Sequence, residues 1–118
     1  MRLSGERKKE LQAEYQLMKP DMGLLAVINK EHDKYFLITT PNLKGKLNSV
    51  RFQLKSGGHY HKDLQRDWQE LGEDKFEIKI LAQIEYDEDE VKTDYTEELE
   101  LLKMMWEEKL ANERVDFY

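Results

Sequence analysis

Residues 23–46, GLLAVINKEHDKYFLITTPNLKGK, decide the fold, because they read as two apolar runs separated by a short polar turn. The first run, residues 22–28, predicts a buried strand, and residues 35–39 predict a second one. Residues 29–34 supply the polar turn of a β-hairpin. Pro41 comes next, and proline is common in the first turn of a helix. The stretch therefore predicts a hairpin that leads directly into a helix.

The remainder of the chain predicts further helices and one more strand around this hairpin. Apolar residues recur every three or four positions as far as residue 54, and again over residues 60–71, which indicates two helices. Residues 76–81 alternate as a third strand. A helix is also expected over residues 4–19, ahead of a proline. A last helix, ending near residue 110, is expected to turn these side chains inward: Leu99, Leu102, Met105, Trp106 and Leu110.

This order, α-β-β-α-α-β-α, predicts an α/β (α+β) fold in which a small three-stranded antiparallel sheet is flanked by helices. The expected organisation is an N-terminal helix over residues 1–20, one domain over residues 21–111 and a tail over residues 112–118. We expect the tail to be loosely held. Its apolar residues that could dock on the domain are Val115, Phe117 and Tyr118.

The composition limits the functions that the chain can have. Its 118 residues are enough for about one domain. The absence of cysteine excludes disulfides, thiolate metal sites and a cysteine nucleophile. No apolar run approaches the roughly 18 residues that span a bilayer. The basic N-terminus lacks the apolar region of a secretory signal, so a cytoplasmic protein is expected.

The net charge of -6 conceals an uneven distribution. Residues 1–66 carry 13 Lys and Arg against 7 Asp and Glu, whereas residues 67–118 carry 6 against 18. The most basic window runs from Lys44 to Arg66, where Asp63 is the only acidic residue. Such a window could attract the phosphates of DNA. A local charge bias is equally ordinary on a solvated helix.

The hairpin and the segments after it resemble the GIY-YIG nuclease family. The core of that family runs through two hairpin strands, two helices, a third strand and a helix. Gly23 stands at the first motif glycine, and residues 36–38, Phe-Leu-Ile, fall on the second motif triplet. Thr40, Asn42 and Leu43 are similar to the Thr-x-Asn-Leu of many members. The resemblance covers residues 22–110 and implies a GIY-YIG-like fold.

The resemblance also implies where catalytic residues would stand, and most of these positions have changed chemistry. Leu25 and Phe36 take the places of the two catalytic tyrosines, and neither carries a hydroxyl that could move a proton. Lys46 replaces the catalytic arginine, keeping the charge but losing the bidentate fork. His59 matches a histidine that some members place near the phosphate. A structural or solvated histidine is the competing interpretation.

The metal-binding glutamate of the family resembles Glu98, with Glu97 and Glu100 as close competitors. If the chain cleaves DNA, it would use Mg²⁺ or Mn²⁺. One carboxylate is sufficient for Mg²⁺, which keeps most of its waters. Glutamates in the first turn of a helix are also common without any metal, because the helix dipole favours them.

Two functions from different classes follow. The first is a DNA-binding or DNA-processing domain of the GIY-YIG endonuclease type, with weak or lost phosphodiester cleavage. It would contact DNA through a set of basic residues: Lys44, Arg51, Lys55, Lys62 and Arg66. The alternative is a non-catalytic small α/β protein-interaction module. Its homodimer or partner contact would use the acidic half or the Met104–Trp106 segment.

Overall fold

The computed structural model describes residues 19–88 and 92–118. The helix expected over residues 4–19 lies almost wholly outside the described residues. A short 3-10 turn over Glu73–Lys75 leads into the third strand. The strands are β1 (Met22–Asn29), β2 (Lys34–Thr40), β3 (Phe76–Ile84) and β4 (Asp116–Phe117). The helices are α1 (Leu43–Ser56), α2 (Lys62–Leu71) and α3 (Thr96–Asn112).

The four strands form one mixed sheet in the order β3-β1-β2-β4. β1 pairs antiparallel with β2 and β3, as predicted, and β4 pairs parallel with β2. The prediction of three antiparallel strands was therefore wrong, because the tail adds a fourth. The backbone N–H of Asp116 donates to the carbonyl of Asp33 at 3.1 Å, and that of Tyr118 donates to Tyr35 at 2.9 Å. A two-residue strand is too short for its apolar alternation to be recognised.

The hairpin turn fixes which side chains share a face of the sheet. Asn29 is fully buried, and its side-chain oxygen accepts hydrogen bonds from the backbone N–H of Glu31 and of His32, at 3.0 and 3.2 Å. The resulting register places Val27 opposite Phe36. Residues directly opposite in an antiparallel pair lie on the same face, so the turn decides the surroundings of Phe36.

Helices cover both faces of the sheet, which explains why every residue of β1 is buried. One face packs against α1 and α2, and its buried core consists of Leu25, Val27, Phe36, Ile38, Leu43, Val50, Leu54, Leu64, Trp68 and Phe76. The other face packs against α3 through Leu24, Ala26, Ile28, Leu37 and Leu110. The alternation of β1 and β2 thus separates Phe36 from its neighbour Tyr35, which packs on the α3 side.

Gly23 is required by a close approach of two strands. A Cβ atom at this position would lie 2.1 Å from the carbonyl oxygen of Ala82 and 2.8 Å from the Cα of Gln83. Both atoms belong to the backbone of β3, so no side chain can move away to make room. The register between β1 and β3 shifts immediately afterwards, between Leu24 and Leu25. The motif glycine therefore serves strand packing.

The inward face of α3 differs from the sequence prediction at one residue. Leu99 and Leu110 are buried, and Leu102 and Trp106 pack against the core as expected. Met105 is 67% exposed, because it precedes Trp106 and turns about 100° away from it. In residues 19–88 and 92–118, the helices are all too short or too polar to traverse a bilayer.

Candidate functional site

The candidate site lies where Phe36 of β2 meets the loop between α1 and α2. Helix α1 ends at Gly57, whose positive φ of 82° reverses the chain direction at low steric cost. The backbone N–H of Gly58 donates to the carbonyl of Gln53 at 2.8 Å, which satisfies one of the last carbonyls of the helix. The chain then turns inward, so that His59 is buried although it belongs to a loop.

Gln65 of α2 fixes this loop. Its side-chain oxygen accepts a hydrogen bond from the backbone N–H of His59 at 2.9 Å, and its side-chain nitrogen donates to the carbonyl of Leu54 at 3.0 Å. One buried amide therefore joins the end of α1, the loop and α2. The sequence shows Gln65 only as a polar residue beside an apolar stripe, so its bridging role could not be predicted.

The hydrogen bonds of His59 define its chemical state. Its Nδ1 accepts from the backbone N–H of His61 at 3.1 Å, so the proton of the neutral ring lies on Nε2. The side chain is only 5% exposed, and Nε2 has no hydrogen-bond partner within the described part of the chain. A buried donor without a partner carries a desolvation penalty of about 1–3 kcal/mol. It therefore remains a donor without an acceptor among the described residues.

Burial is the largest cause of a lowered pKa at His59, and the charges of His61 and Lys46 lower this pKa further. A backbone interaction with His61 acts in the opposite direction. The net result is a neutral imidazole at physiological pH. Such a ring presents an N–H donor and has no lone pair left with which to take a proton from water.

The two residues that the resemblance matched to catalytic tyrosines are both apolar. Phe36 is buried, and its ring meets that of His59 edge to face, with centroids 5.5 Å apart and an interplanar angle of 85°. His61 approaches the same ring at 5.1 Å. Leu25 shares this face of the sheet and is fully buried. Both residues therefore belong to one packed apolar core, which meets the histidines at Phe36.

Tyr118 enters the same region from β4, and sequence reasoning did not assign it to the site. Its hydroxyl accepts a hydrogen bond from Nδ2 of Asn29 at 3.0 Å and donates to Oδ2 of Asp67 at 2.8 Å. Its ring lies 5.7 Å from that of His61. Burial raises the pKa of Tyr118, as does the hydrogen bond to Asp67, while the bond from Asn29 lowers it. The phenol therefore stays protonated and acts as a structural bridge.

Helix α1 separates the predicted basic residues into two groups. At 100° per residue, Lys46 and Arg51 are about 140° apart on the helix and flank its buried stripe on opposite sides. Lys46 lies close enough to His59 for its charge to affect that pKa. Arg51 and Lys55 instead line a cavity of about 250 Å³ together with Ile78 of β3. The single basic window of the sequence is therefore two surfaces in the fold.

Acidic neighbours reduce the charge of some of these residues. Lys55 pairs with Glu73 at 3.6 Å, and Arg66 pairs with Asp63 at 3.4 Å. Such exposed pairs are worth little individually, but they lower the local positive potential. Among residues 19–88 and 92–118, no ion pair is found for the remaining three residues of the predicted DNA-contacting set: Lys44, Arg51 and Lys62.

Glu98 lies in the first turn of α3, and its carboxylate forms an ion pair with Lys92. The hydrogen bond from Lys92 lowers the pKa of Glu98 and keeps it ionised. In the part of the chain that the structure describes, no group of three or more His, Asp or Glu side chains could hold a metal ion. Glu97 and Glu100 line a shallow apolar depression on α3 with Leu101. A lone carboxylate already paired with lysine does not fit a preformed metal centre.

The arrangement around His59 can bind an anion. His59 supplies a buried N–H donor beside the ring of Phe36, and Lys46 adds positive charge that acts on it; phosphate oxygens accept from such donors. His59 presents a proton and Tyr118 is held protonated, so neither of these two side chains acts as a general base in this arrangement. The geometry therefore favours phosphate binding over proton abstraction.

No protein-family model matches the chain, and a comparison with curated proteins finds no relative. Among solved structures, the fold is similar to that of the catalytic domain of homing endonuclease I-TevI, with a TM-score of 0.60 and 20% identity over 80% of this chain and 94% of that chain. A Glu-to-Ala mutant of the catalytic domain of intron endonuclease I-TevI has a TM-score of 0.49 and 24% identity over 68% and 84% of the two chains. I-TevI is a GIY-YIG homing endonuclease. The chain therefore has a nuclease-like fold, as its hairpin motif predicted.

Proposed function

We propose that this protein is a DNA-binding domain with a GIY-YIG-type fold, which keeps a phosphate contact and has weak or lost phosphodiester cleavage. The observation that carries this proposal is the buried Nε2–H of His59, which lacks a partner in the described residues. A purely structural histidine at 5% exposure would normally satisfy both ring nitrogens. A phosphate oxygen would satisfy this one.

Lys46 supplies the charge that makes the acceptor an anion. Its ammonium acts electrostatically on His59, so the positive potential beside this donor favours an anionic acceptor. Lysine binds phosphate as a point charge and not as a fork. The contact is therefore expected to be strongly salt-dependent and to tolerate many DNA sequences.

Weak or lost cleavage follows from the groups that occupy the catalytic positions. General acid–base assistance is worth about 10²–10⁴ in rate, and neither Leu25 nor Phe36 can provide it. Lys46 lacks the two parallel N–H groups with which arginine holds a transferring phosphoryl group. These losses concern the chemical step more than binding, because phosphate contacts depend mainly on charge.

Glu98 is the carboxylate that would hold Mg²⁺ or Mn²⁺ in an active enzyme. A metal there would first have to displace Lys92 from its ion pair. We assign no step of the reaction to a metal for this reason. The Glu98→Ala variant remains the control for any metal-dependent cleavage that is observed.

The experiment that tests binding is a fluorescence-anisotropy titration of labelled DNA at several salt concentrations. Lys46→Ala should weaken binding and reduce the salt slope by about one counterion. Lys79→Ala is the matched control, because Lys79 is an exposed lysine on β3. Its register partner, Ala26, packs on the α3 side of the sheet, so Lys79 lies on the face opposite to Phe36. Equal effects of the two variants, or no binding by the unmodified protein, would contradict the proposal.

The second candidate function is a protein-interaction module, and a specific feature of α3 favours it. Three large apolar side chains of this helix are exposed: Leu101, Met104 and Met105. An exposed apolar patch is a common mark of a protein contact. Trp106, by contrast, packs against the core and is not part of that surface. A protein that fails to bind DNA but forms a dimer in multi-angle light scattering, lost in Met104→Glu, would favour this function.

A further inference from the structure

Tyr60 is an exposed aromatic residue that contacts the candidate site directly. Its side chain is 68% exposed, whereas His59 on one side is buried and His61 on the other is half-buried. Single exposed apolar residues are common on protein surfaces, so exposure alone carries little meaning. The orientation of the ring is what distinguishes Tyr60.

The ring of Tyr60 stacks on the ring of His59, with centroids 4.6 Å apart and an interplanar angle of 23°. The centroid of the Phe36 ring lies 6.0 Å from that of Tyr60. Because His59 covers one face of the ring, the exposed area belongs mainly to the other face. The site therefore continues outward as a flat apolar surface, held in place by two further rings.

We propose that the open face of Tyr60 stacks on an unpaired nucleobase, so that the site takes a single DNA strand in preference to a duplex. This inference rests on the DNA-binding function proposed above. In a duplex, both faces of each base are covered by its neighbours, and only an unpaired or flipped-out base offers a face. Stacking on an aromatic side chain tolerates any base, because every base has a π-face.

The neighbouring groups match the rest of a nucleotide. The Nε2–H of His59 and the charge of Lys46 suit a phosphate, and Tyr60, next to His59 in the chain, suits the base attached to that phosphate through its sugar. Lys62, exposed at the start of α2 and two residues after Tyr60, adds positive charge to the same segment. The segment thus combines an exposed aromatic face with groups that favour an anion.

The test compares binding of a single-stranded oligonucleotide and of its duplex, by fluorescence anisotropy, for the unmodified protein and three variants. Tyr60→Ala should lower the single-strand affinity about tenfold, the effect of losing one base–aromatic stack, and leave the duplex affinity unchanged. Tyr60→Phe should behave like the unmodified protein, because the ring remains. Lys79→Ala removes an exposed side chain from β3, on the face of the sheet opposite to Phe36, and should change neither affinity.

A second measurement detects the stack itself. A 2-aminopurine base in the single strand should lose fluorescence on binding, and the loss should disappear in Tyr60→Ala. Equal losses of single-strand and duplex affinity in Tyr60→Ala would overturn the inference and leave DNA binding intact. A Tyr60→Phe variant as weak as Tyr60→Ala would also overturn it, since the hydroxyl would then be responsible. If the unmodified protein binds neither the single strand nor the duplex, the proposed function is overturned as well.

Discussion

The rings of Phe36 and His59 meet edge to face with centroids 5.5 Å apart, at the position where the GIY-YIG resemblance places a catalytic tyrosine. The ring of Phe36 packs against the histidine and has no hydroxyl with which to hydrogen-bond to it. This contact therefore positions His59 through packing alone.

The first prediction concerns the buried state of His59. Its lowered pKa means that the folded protein binds this proton less readily than the unfolded chain does. The free energy of unfolding should therefore fall as the pH falls below the ordinary histidine value of 6.5. Urea unfolding at a series of pH values from about 8 to about 5 measures this slope.

A histidine variant separates this effect from other titrations. His59→Phe should flatten the slope, because the group that resists protonation is gone. If His59→Phe keeps the slope of the unmodified protein, the titration belongs to other groups, and the buried neutral imidazole is excluded.

The second prediction concerns Gly23. Gly23→Ala should destabilise the fold by about 1–3 kcal/mol, as other forced overpacking does, because the added methyl meets the backbone of Ala82. Gly58→Ala is the matched control, since a Cβ there would lie 3.7 Å from Ser56 Oγ, an ordinary contact. Urea unfolding of both variants measures the difference. Equal stabilities would mean that β3 can move away from β1 without cost.

The third prediction concerns the bridge made by Tyr118. Tyr118→Phe removes the hydrogen bonds to Asn29 and Asp67 and should lower the free energy of unfolding by about 1–2 kcal/mol. It should also speed amide hydrogen exchange at the backbone N–H of Asp116, where β4 pairs with the chain ahead of β2. Tyr60→Phe is the control, because no hydrogen bond is found for the Tyr60 hydroxyl within the described residues. Unchanged exchange in Tyr118→Phe would show that the backbone pairing alone holds β4.

The hairpin and α1 could be predicted from the sequence because their apolar periods are unambiguous and their boundaries carry turn and capping residues. Asn42, for example, caps α1 by accepting from the backbone N–H of Gly45. The fourth strand could not be predicted, because two residues carry no readable period and their partner strand lies far away in the sequence. The inward orientation predicted for Met105 was wrong. Met105 and Trp106 are adjacent apolar residues, and helical spacing alone does not show which of them faces the core.

Only part of the candidate site was visible in the sequence. The resemblance matched Leu25 and Phe36 to two motif positions, and the structure places both side chains on one face of the sheet. The bridging role of Gln65 and the stacked ring of Tyr60 depend on how the loop folds back, which no local pattern encodes. The basic window also gave a misleading impression of continuity, because helix α1 turns Lys46 and Arg51 to opposite sides of its buried stripe.

The most direct test of the central claim is an incubation of supercoiled plasmid with Mg²⁺ or Mn²⁺, with binding and cleavage read on the same gel. We expect a salt-sensitive shift of the plasmid with little or no conversion to nicked or linear DNA. Rapid metal-dependent conversion that disappears in Glu98→Ala would contradict this expectation, because it would mean that the altered motif still supports catalysis.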